Sequence, residues 1–142
     1  MIIGIPVYQK VDLLDVTAPH EVFKWAWPDA ELRLLAASTD TPIETRDGFR
    51  FLATHCFDDT KELDILWVPG GDPAALAPIM RGEKPRDLLN FLLRIGPGAG
   101  WVCSVCEGAL LLAAAGLLDG YHATTYWAFI PCLKEFEKIS VV

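Results

Sequence analysis

Apolar residues along this chain fall in short continuous runs divided by stretches of helical spacing, with little strict alternation. Ile2 to Val7, Leu32 to Ala37, Ile65-Leu66-Trp67-Val68 and Trp101 to Val105 each read as a strand buried on both faces. Thr17-Ala18-Pro19-His20-Glu21 predicts a helix start, with Thr17 as cap, Pro19 in the first turn and Glu21 complementing the dipole. Asp87 to Ile95 sets Leu88, Leu89, Phe91, Leu92 and Ile95 at helical spacing. Ala109 to Leu118 is apolar on every side and predicts a deeply buried helix. Arg46-Asp47-Gly48-Phe49 carries the Asp-Gly signal of a tight hairpin, and Gly96-Pro97-Gly98 that of a turn. Tyr121 to Thr125 and Ile139 to Val142 read as two further short strands. Doubly buried strands alternating with helices predict an α/β fold with a doubly wound, mostly parallel sheet of flavodoxin-like type. With 142 residues and no repeat, linker or low-complexity stretch, a single domain over residues 1–142 is expected.

Composition narrows the functional classes. The chain is 52% hydrophobic and 22% charged, ample for a packed core. Its net charge of −7 and scattered Lys and Arg residues offer no basic stripe for phosphates, so nucleic acid is not an expected partner. The longest apolar run, Ala109 to Leu118, is ten residues, too short to span a bilayer, so no membrane role is expected. Met1 leads straight into Ile2-Ile3-Gly4-Ile5 without the charged and apolar regions of an export signal. A cytoplasmic location is the resulting expectation, with Cys56, Cys103, Cys106 and Cys132 kept as free thiols.

Ser104-Val105-Cys106-Glu107-Gly108 holds the most informative chemistry. A strand ends, a nucleophile-type side chain follows, and a buried helix begins at once, as in the G-x-S-x-G nucleophile elbow. A sharp turn of this kind forces the central residue into a strained backbone, so Ser104 and Gly108 must be small. The following helix start predicts a lowered thiol pKa at Cys106. Cys103-Ser104-Val105-Cys106 also spells C-x-x-C, but its first cysteine lies inside the strand, unlike a thioredoxin-type site. The remaining His and Cys residues are isolated, so no metal is expected. Pro69-Gly70-Gly71 follows another strand, and the backbone N–H groups of Gly70 and Gly71 make it a candidate oxyanion hole. Asp15, in the apolar setting Leu13-Leu14-Asp15-Val16, reads either as a helix cap or as a partly desolvated acid or base near the thiol.

Together these segments resemble the ThiJ/PfpI superfamily, with its class I glutamine amidotransferase-like fold. The matching stretches are Leu14-Asp15-Val16-Thr17-Ala18-Pro19, Val68-Pro69-Gly70-Gly71, Ser104-Val105-Cys106-Glu107-Gly108-Ala109 and Ala114-Ala115-Gly116-Leu117-Leu118-Asp119-Gly120, continuing through Ala123-Thr124-Thr125-Tyr126-Trp127. The most similar branch is that of the isonitrile hydratases, with related N-terminal domains in some AraC-type regulators. The resemblance implies Cys106 as nucleophile and Asp15 as an essential acid, acting on a small-molecule substrate without cofactor. The implied reaction is addition of water to an isonitrile to give an N-substituted formamide. It also implies a homodimer, and a C-terminal segment that this chain lacks.

Two positions depart from the hydratase pattern. Glu107 stands where that branch has threonine, and Tyr126 where it has histidine, so no Cys–His dyad carries over and His122 gains no role. Glu107 is read either as a solvent-facing helix-start acid or as a third catalytic group beside Cys106 and Asp15. The alternatives to a hydratase are a non-catalytic ligand-sensing domain of the regulator type and another thiol activity of the superfamily, glyoxalase-like or deglycase-like.

Overall fold

The computed structural model describes residues 1–142, every position of the chain. Five strands form the central sheet: β1 (Ile2–Pro6), β2 (Glu31–Ala36), β5 (His55–Cys56), β6 (Ile65–Val68) and β7 (Trp101–Ser104), in the order β5-β2-β1-β6-β7. All four pairings are parallel. The helices are α1 (Leu13–Ala26), α2 (Pro73–Met80), α3 (Asp87–Ile95), α4 (Gly108–Ala114) and α5 (Ile130–Leu133). The mostly parallel α/β fold read from the apolar runs is the observed one. β3 (Ile43–Glu44) and β4 (Arg50–Phe51) pair antiparallel around Asp47-Gly48, where Gly48 takes φ +90°. β8 (His122–Ala123) and β9 (Ser140–Val141) make a separate parallel pair.

Period-two alternation within the sheet decides what each residue meets. In β6, Leu66 and Val68 are fully buried in the main core, together with Leu76 of α2, Leu92 of α3 and Leu111 of α4. Trp67 turns the other way and meets Phe23 of α1 edge-on, ring centroids 5.5 Å apart. Phe91 of α3 stacks on Phe57 at 4.6 Å and is 1% exposed. Burial of these large side chains is the principal force holding α3 and α4 on the sheet.

Four boundaries differ from the sequence expectation, each for a local reason. α1 begins at Leu13, ahead of Thr17; Thr17 lies inside the helix and its hydroxyl donates to the Leu13 carbonyl at 3.0 Å. α4 stops at Ala114, short of Leu118. Gly116 enters the left-handed region at φ +69°, and the N–H groups of Gly116 and Leu117 turn back to the carbonyls of Ala113 (2.9 Å) and Leu112 (3.0 Å). That is a Schellman termination, in which a glycine accepts the backbone form other residues resist. The pattern assigns no element to residues 73–80, yet Asp72 caps α2 there by accepting from the Ala74 N–H at 2.8 Å, with Pro73 in the first turn. Tyr121 to Thr125 contracts to the two residues of β8.

Candidate active site

β6 and β7 run side by side in register, Val68 opposite Ser104, so the loops after them leave the same edge of the sheet together. One loop is Pro69-Gly70-Gly71 and the other is Val105-Cys106-Glu107. Cys106 has φ +47°, a left-handed conformation that costs a side-chain-bearing residue free energy and persists only where neighbours enforce it. Here the Val105 N–H donates to the Val68 carbonyl (3.2 Å), the Gly108 N–H to the Val105 carbonyl (2.9 Å), and the Thr125 hydroxyl to the Cys106 carbonyl (2.8 Å). A Cβ at Gly108 would collide with the Val68 carbonyl oxygen, so glycine two residues after the thiol is a steric requirement. The strand–turn–helix elbow is therefore present in full.

Asp15 reaches the elbow from the first turn of α1. Pro19, four residues on, has no N–H for the Asp15 carbonyl, and the Trp67 indole N–H takes that carbonyl at 3.1 Å. The side chain is fixed at both oxygens: Oδ2 accepts from the Gly70 N–H at 3.0 Å, and Oδ1 from the Cys106 thiol at 3.6 Å. Of the two readings of Asp15, the acid or base beside the thiol matches this geometry. The cap position belongs to Asp12, which makes no side-chain capping bond. Arg46 Nη1 lies 3.2 Å from Asp12 Oδ1, a charge contact without hydrogen-bond alignment.

Glu107 is not a solvent-facing acid. It is 5% exposed, and its Oε2 has no hydrogen-bond partner. It crowds with the other two groups around Gly70: a Cβ there would stand 2.6 Å from Glu107 Oε2, 2.8 Å from Cys106 Cβ and 3.0 Å from Asp15 Oδ2. Three of the residues singled out in the sequence thus meet at one glycine. Burial pushes the Glu107 carboxyl above its ordinary range, with the charges of Asp12 and Asp15 adding to the effect and its own backbone N–H and Arg46 opposing it.

The same crowding overturns the expected low thiol pKa. Burial, the charge of Asp15 and its hydrogen bond to the thiol, together with Glu107 and Asp12, push Cys106 up to about 12. A turn of helix start is outweighed by carboxylates at closer range. The resting group is the neutral thiol, donating to Asp15.

Within the glycine loop, Gly70 cannot serve as a free oxyanion donor, because its N–H is spent on Asp15. The Gly71 N–H meets no acceptor of the protein and retains that capacity. Tyr8, which the sequence reading passed over, is 7% exposed at the end of β1; its hydroxyl donates to the Pro69 carbonyl at 3.0 Å and its ring lies against Gly71. Asp12 and Thr125 were passed over as well. Position at the carboxyl end of a parallel strand was the available signal for Tyr8; the contacts of the other two are set by tertiary packing. A cavity of about 280 Å³ opens beside the thiol, lined by Ser104, Val105, Cys106, Thr124, Thr125 and Tyr126. His122 takes no part in it. Donor atoms of Asp12, Asp15 and Cys106 lie within 4.8 Å of one another, close enough to act on one cation. Cys56, Cys103 and Cys132 are half-buried free thiols, and Cys103 forms no disulfide with Cys106.

Comparison with known proteins identifies relatives of this chain. The DJ-1/PfpI family model matches residues 2–140. An isonitrile hydratase from Pseudomonas putida is 36% identical over 139 residues, which cover 98% of this chain and 58% of the hydratase. The transcriptional regulator GbdR from Pseudomonas aeruginosa is 26% identical over 123 residues, 86% of this chain and 30% of the regulator. Among solved structures, a ThiJ/PfpI family protein from Pseudomonas syringae superposes with a TM-score of 0.85 at 32% identity, covering 98% of this chain and 55% of that one. The chain spans little more than half the length of the hydratase and of that structure.

Two outcomes follow from the electrostatics. Asp15→Asn removes the anion beside the thiol and leaves at most a neutral amide oxygen as its acceptor, so the Cys106 pKa falls and alkylation by iodoacetamide at about pH 8 speeds up; the ultraviolet thiolate absorbance titrated against pH measures it. An unchanged or higher thiol pKa in that variant would show that Asp15 is not the cause. Glu107 binds its proton more tightly folded than unfolded, so the stability it contributes is present below the ordinary carboxylate pKa and is lost as pH rises through the raised one. Glu107→Gln, neutral throughout, is therefore more stable than wild type near neutrality, and the gap narrows at a pH close to the ordinary carboxylate pKa. Urea midpoints at the two pH values test this, and a gap independent of pH would contradict it.

Proposed function

The chain belongs to the DJ-1/PfpI family, and from that premise we propose that it is a cysteine-dependent hydratase converting isonitriles to N-substituted formamides. The observation that carries this reading is the thiol of Cys106 held 3.6 Å from Asp15 on a strained elbow, beside a cavity, in a chain 36% identical to an isonitrile hydratase. Hydration of R–N≡C places both a nucleophile and a proton on the same terminal carbon. A neutral thiol paired with a carboxylate supplies both.

In the first step the Cys106 sulfur bonds to the isonitrile carbon, and the thiol proton passes through Asp15 to that carbon. The product is a thioimidate, R–N=CH–S–Cys. Water then adds across the C=N bond, hydroxyl to carbon and proton to nitrogen, with Asp15 as base. Collapse of the tetrahedral adduct breaks the C–S bond and releases R–NH–CHO, and the hydroxyl proton returns to sulfur by way of Asp15. The Gly71 N–H is the donor we assign to negative charge developing on the adduct. Glu107, buried and biased toward its protonated form, takes the place of the threonine hydroxyl as a proton donor beside the thiol. No step calls for a cofactor.

A second reading, a ligand-sensing domain, is supported by the 26% identity to GbdR. Incubation with a panel of alkyl and aryl isonitriles, followed by mass spectrometry of products, separates the two. The hydratase reading expects formamides, loss of turnover in Cys106→Ser and Asp15→Asn, and a shifted pH–rate profile in Glu107→Gln. Absence of formamide from every substrate defeats it in favour of the sensor.

We also propose a homodimer. Leu14 (72% exposed), Val22 (56%) and Trp25 (74%) line one side of α1, an apolar stripe on an otherwise polar helix face. Light scattering at micromolar concentration is expected to give twice the chain mass, and Leu14→Glu with Trp25→Glu the mass of one chain. A monomeric wild type would refute this.

A further inference from the structure

A second cavity, of about 450 Å³, lies away from the thiol. Val7 directly follows β1, and Ala36 and Ala37 close β2, so this cavity opens at the carboxyl ends of those two strands. That edge of a parallel sheet is where ligands bind. The cavity shares no lining residue with the one beside Cys106, and neither Asp15, Glu107 nor Gly71 borders it. Tyr8 links the two regions: it borders this cavity, and its hydroxyl reaches the Pro69 carbonyl of the glycine loop at 3.0 Å.

Its interior is apolar. Val7, Ala36, Ile43, Phe57 and Leu88, all buried, form the floor. Ala75, Pro78 and Ile79 add a wall from α2, their spacing of three and four residues setting them on one helix face. Buried side-chain oxygens without a hydrogen-bond partner occur at Asp12 and Glu107, and neither residue is here. Gln9, which also borders the cavity, has its amide committed: the nitrogen donates to the Pro42 carbonyl at 2.9 Å, and Oε1 accepts the Glu44 N–H at 3.0 Å. The interior therefore asks no hydrogen bond of an occupant, and water, which needs several polar partners, gains little there. Charges stand on exposed residues of the lining and carry both signs. Lys84 and Asp87 oppose each other, and Glu83 is paired with Arg81 at 2.6 Å. That balance favours neither an anion nor a cation.

We propose that this cavity is a binding site for an uncharged, largely apolar organic molecule of one or two ring systems, taken up between α2 and the ends of β1 and β2. Its volume falls within the roughly 300–1,000 Å³ of small-molecule sites. Removal of the ligand's apolar surface from water supplies the driving force, and an ionised group on the floor would lie without a partner. The site is separate from the thiol and stands whether or not Cys106 is a nucleophile.

The test titrates the intact chain with N-phenyl-1-naphthylamine, an uncharged dye that fluoresces on leaving water. Saturable binding at one site per chain is expected. The sulfonated analogue 8-anilinonaphthalene-1-sulfonate, with the same rings, is expected to bind about tenfold or more weakly. Methyl chemical shifts of the wild type locate the dye: the changes are expected at Val7, Ile43, Ile79 and Leu88. Ala37→Trp, at an exposed position, and Ala75→Trp each put an indole into the cavity and are expected to weaken the dye about tenfold or more. Circular dichroism shows that each variant is folded, and the wild-type shifts decide the matter if either is not. Four results overturn the proposal: no saturable binding, equal affinity for the sulfonate, shift changes confined to other residues, or full affinity in a folded cavity-filling variant. None of these measurements requires turnover, so failure to hydrate isonitriles leaves the result standing, and the reverse is equally true.

Discussion

Asp15 holds two loops together: one carboxylate oxygen accepts the Gly70 N–H at 3.0 Å and the other the Cys106 thiol at 3.6 Å. Much of the surrounding structure is what this pair of contacts demands. The carboxylate reaches inward only if α1 starts early enough to place Asp15 in its first turn. Its carbonyl is available to Trp67 because Pro19 supplies no N–H, and that bond ties α1 to the centre of the sheet. Gly70 must lack a side chain because Asp15, Cys106 and Glu107 all press on the place a Cβ would occupy. Hydrogen bonds to an ionised carboxylate contribute roughly 1.5–3 kcal/mol each, enough to fix an orientation against loop entropy.

That arrangement carries an electrostatic cost with a chemical consequence. Burial, with nearby acids adding to it, pushes the Glu107 and Asp12 carboxyls above their ordinary range and holds the thiol in its protonated form, up to about 12 for Cys106. Reactivity in such a site comes from geometry and a proton acceptor in contact, with little standing thiolate. The contrast with an isolated cysteine at a long helix N-terminus is one of distance: Asp15 is in contact with the sulfur, whereas α4 is seven residues long and its field is spread over a full turn. Tyr8, whose phenol burial and nearby acids hold well above its ordinary range, stays neutral and keeps donating to the Pro69 carbonyl.

How far the chain could be read without coordinates differs by element. The central strands β1 and β6 were legible as nearly unbroken apolar runs; β2, interrupted by Arg33, and the edge strand β7, whose Trp101 is 71% exposed, were legible from the apolar residues that remain. α3 was legible from spacing, since one face is buried. α2 was not: its eight residues hold two prolines and little amphipathic contrast, leaving Asp72-Pro73 as its only signal. The end of α4 was missed because apolar residues continue past Gly116, and hydropathy does not register a change of φ.

For the site, the sequence by itself determined the elbow. Gly108 after a thiol at the end of a buried strand admits few backbones, and steric exclusion acts between neighbours in the chain. It also singled out Asp15, Gly70 and Gly71 as candidates, through motif context, and the structure brings Asp15 and Gly70 into contact. Tertiary structure alone decided the rest: that Glu107 is buried, that the Gly70 N–H is consumed by Asp15, that Asp12 joins the cluster, and that the thiol's proton is held tightly. Each of those depends on charges and donors brought within a few ångströms from segments up to 91 residues apart. Coulombic and hydrogen-bond energies fall steeply with distances that linear order does not encode.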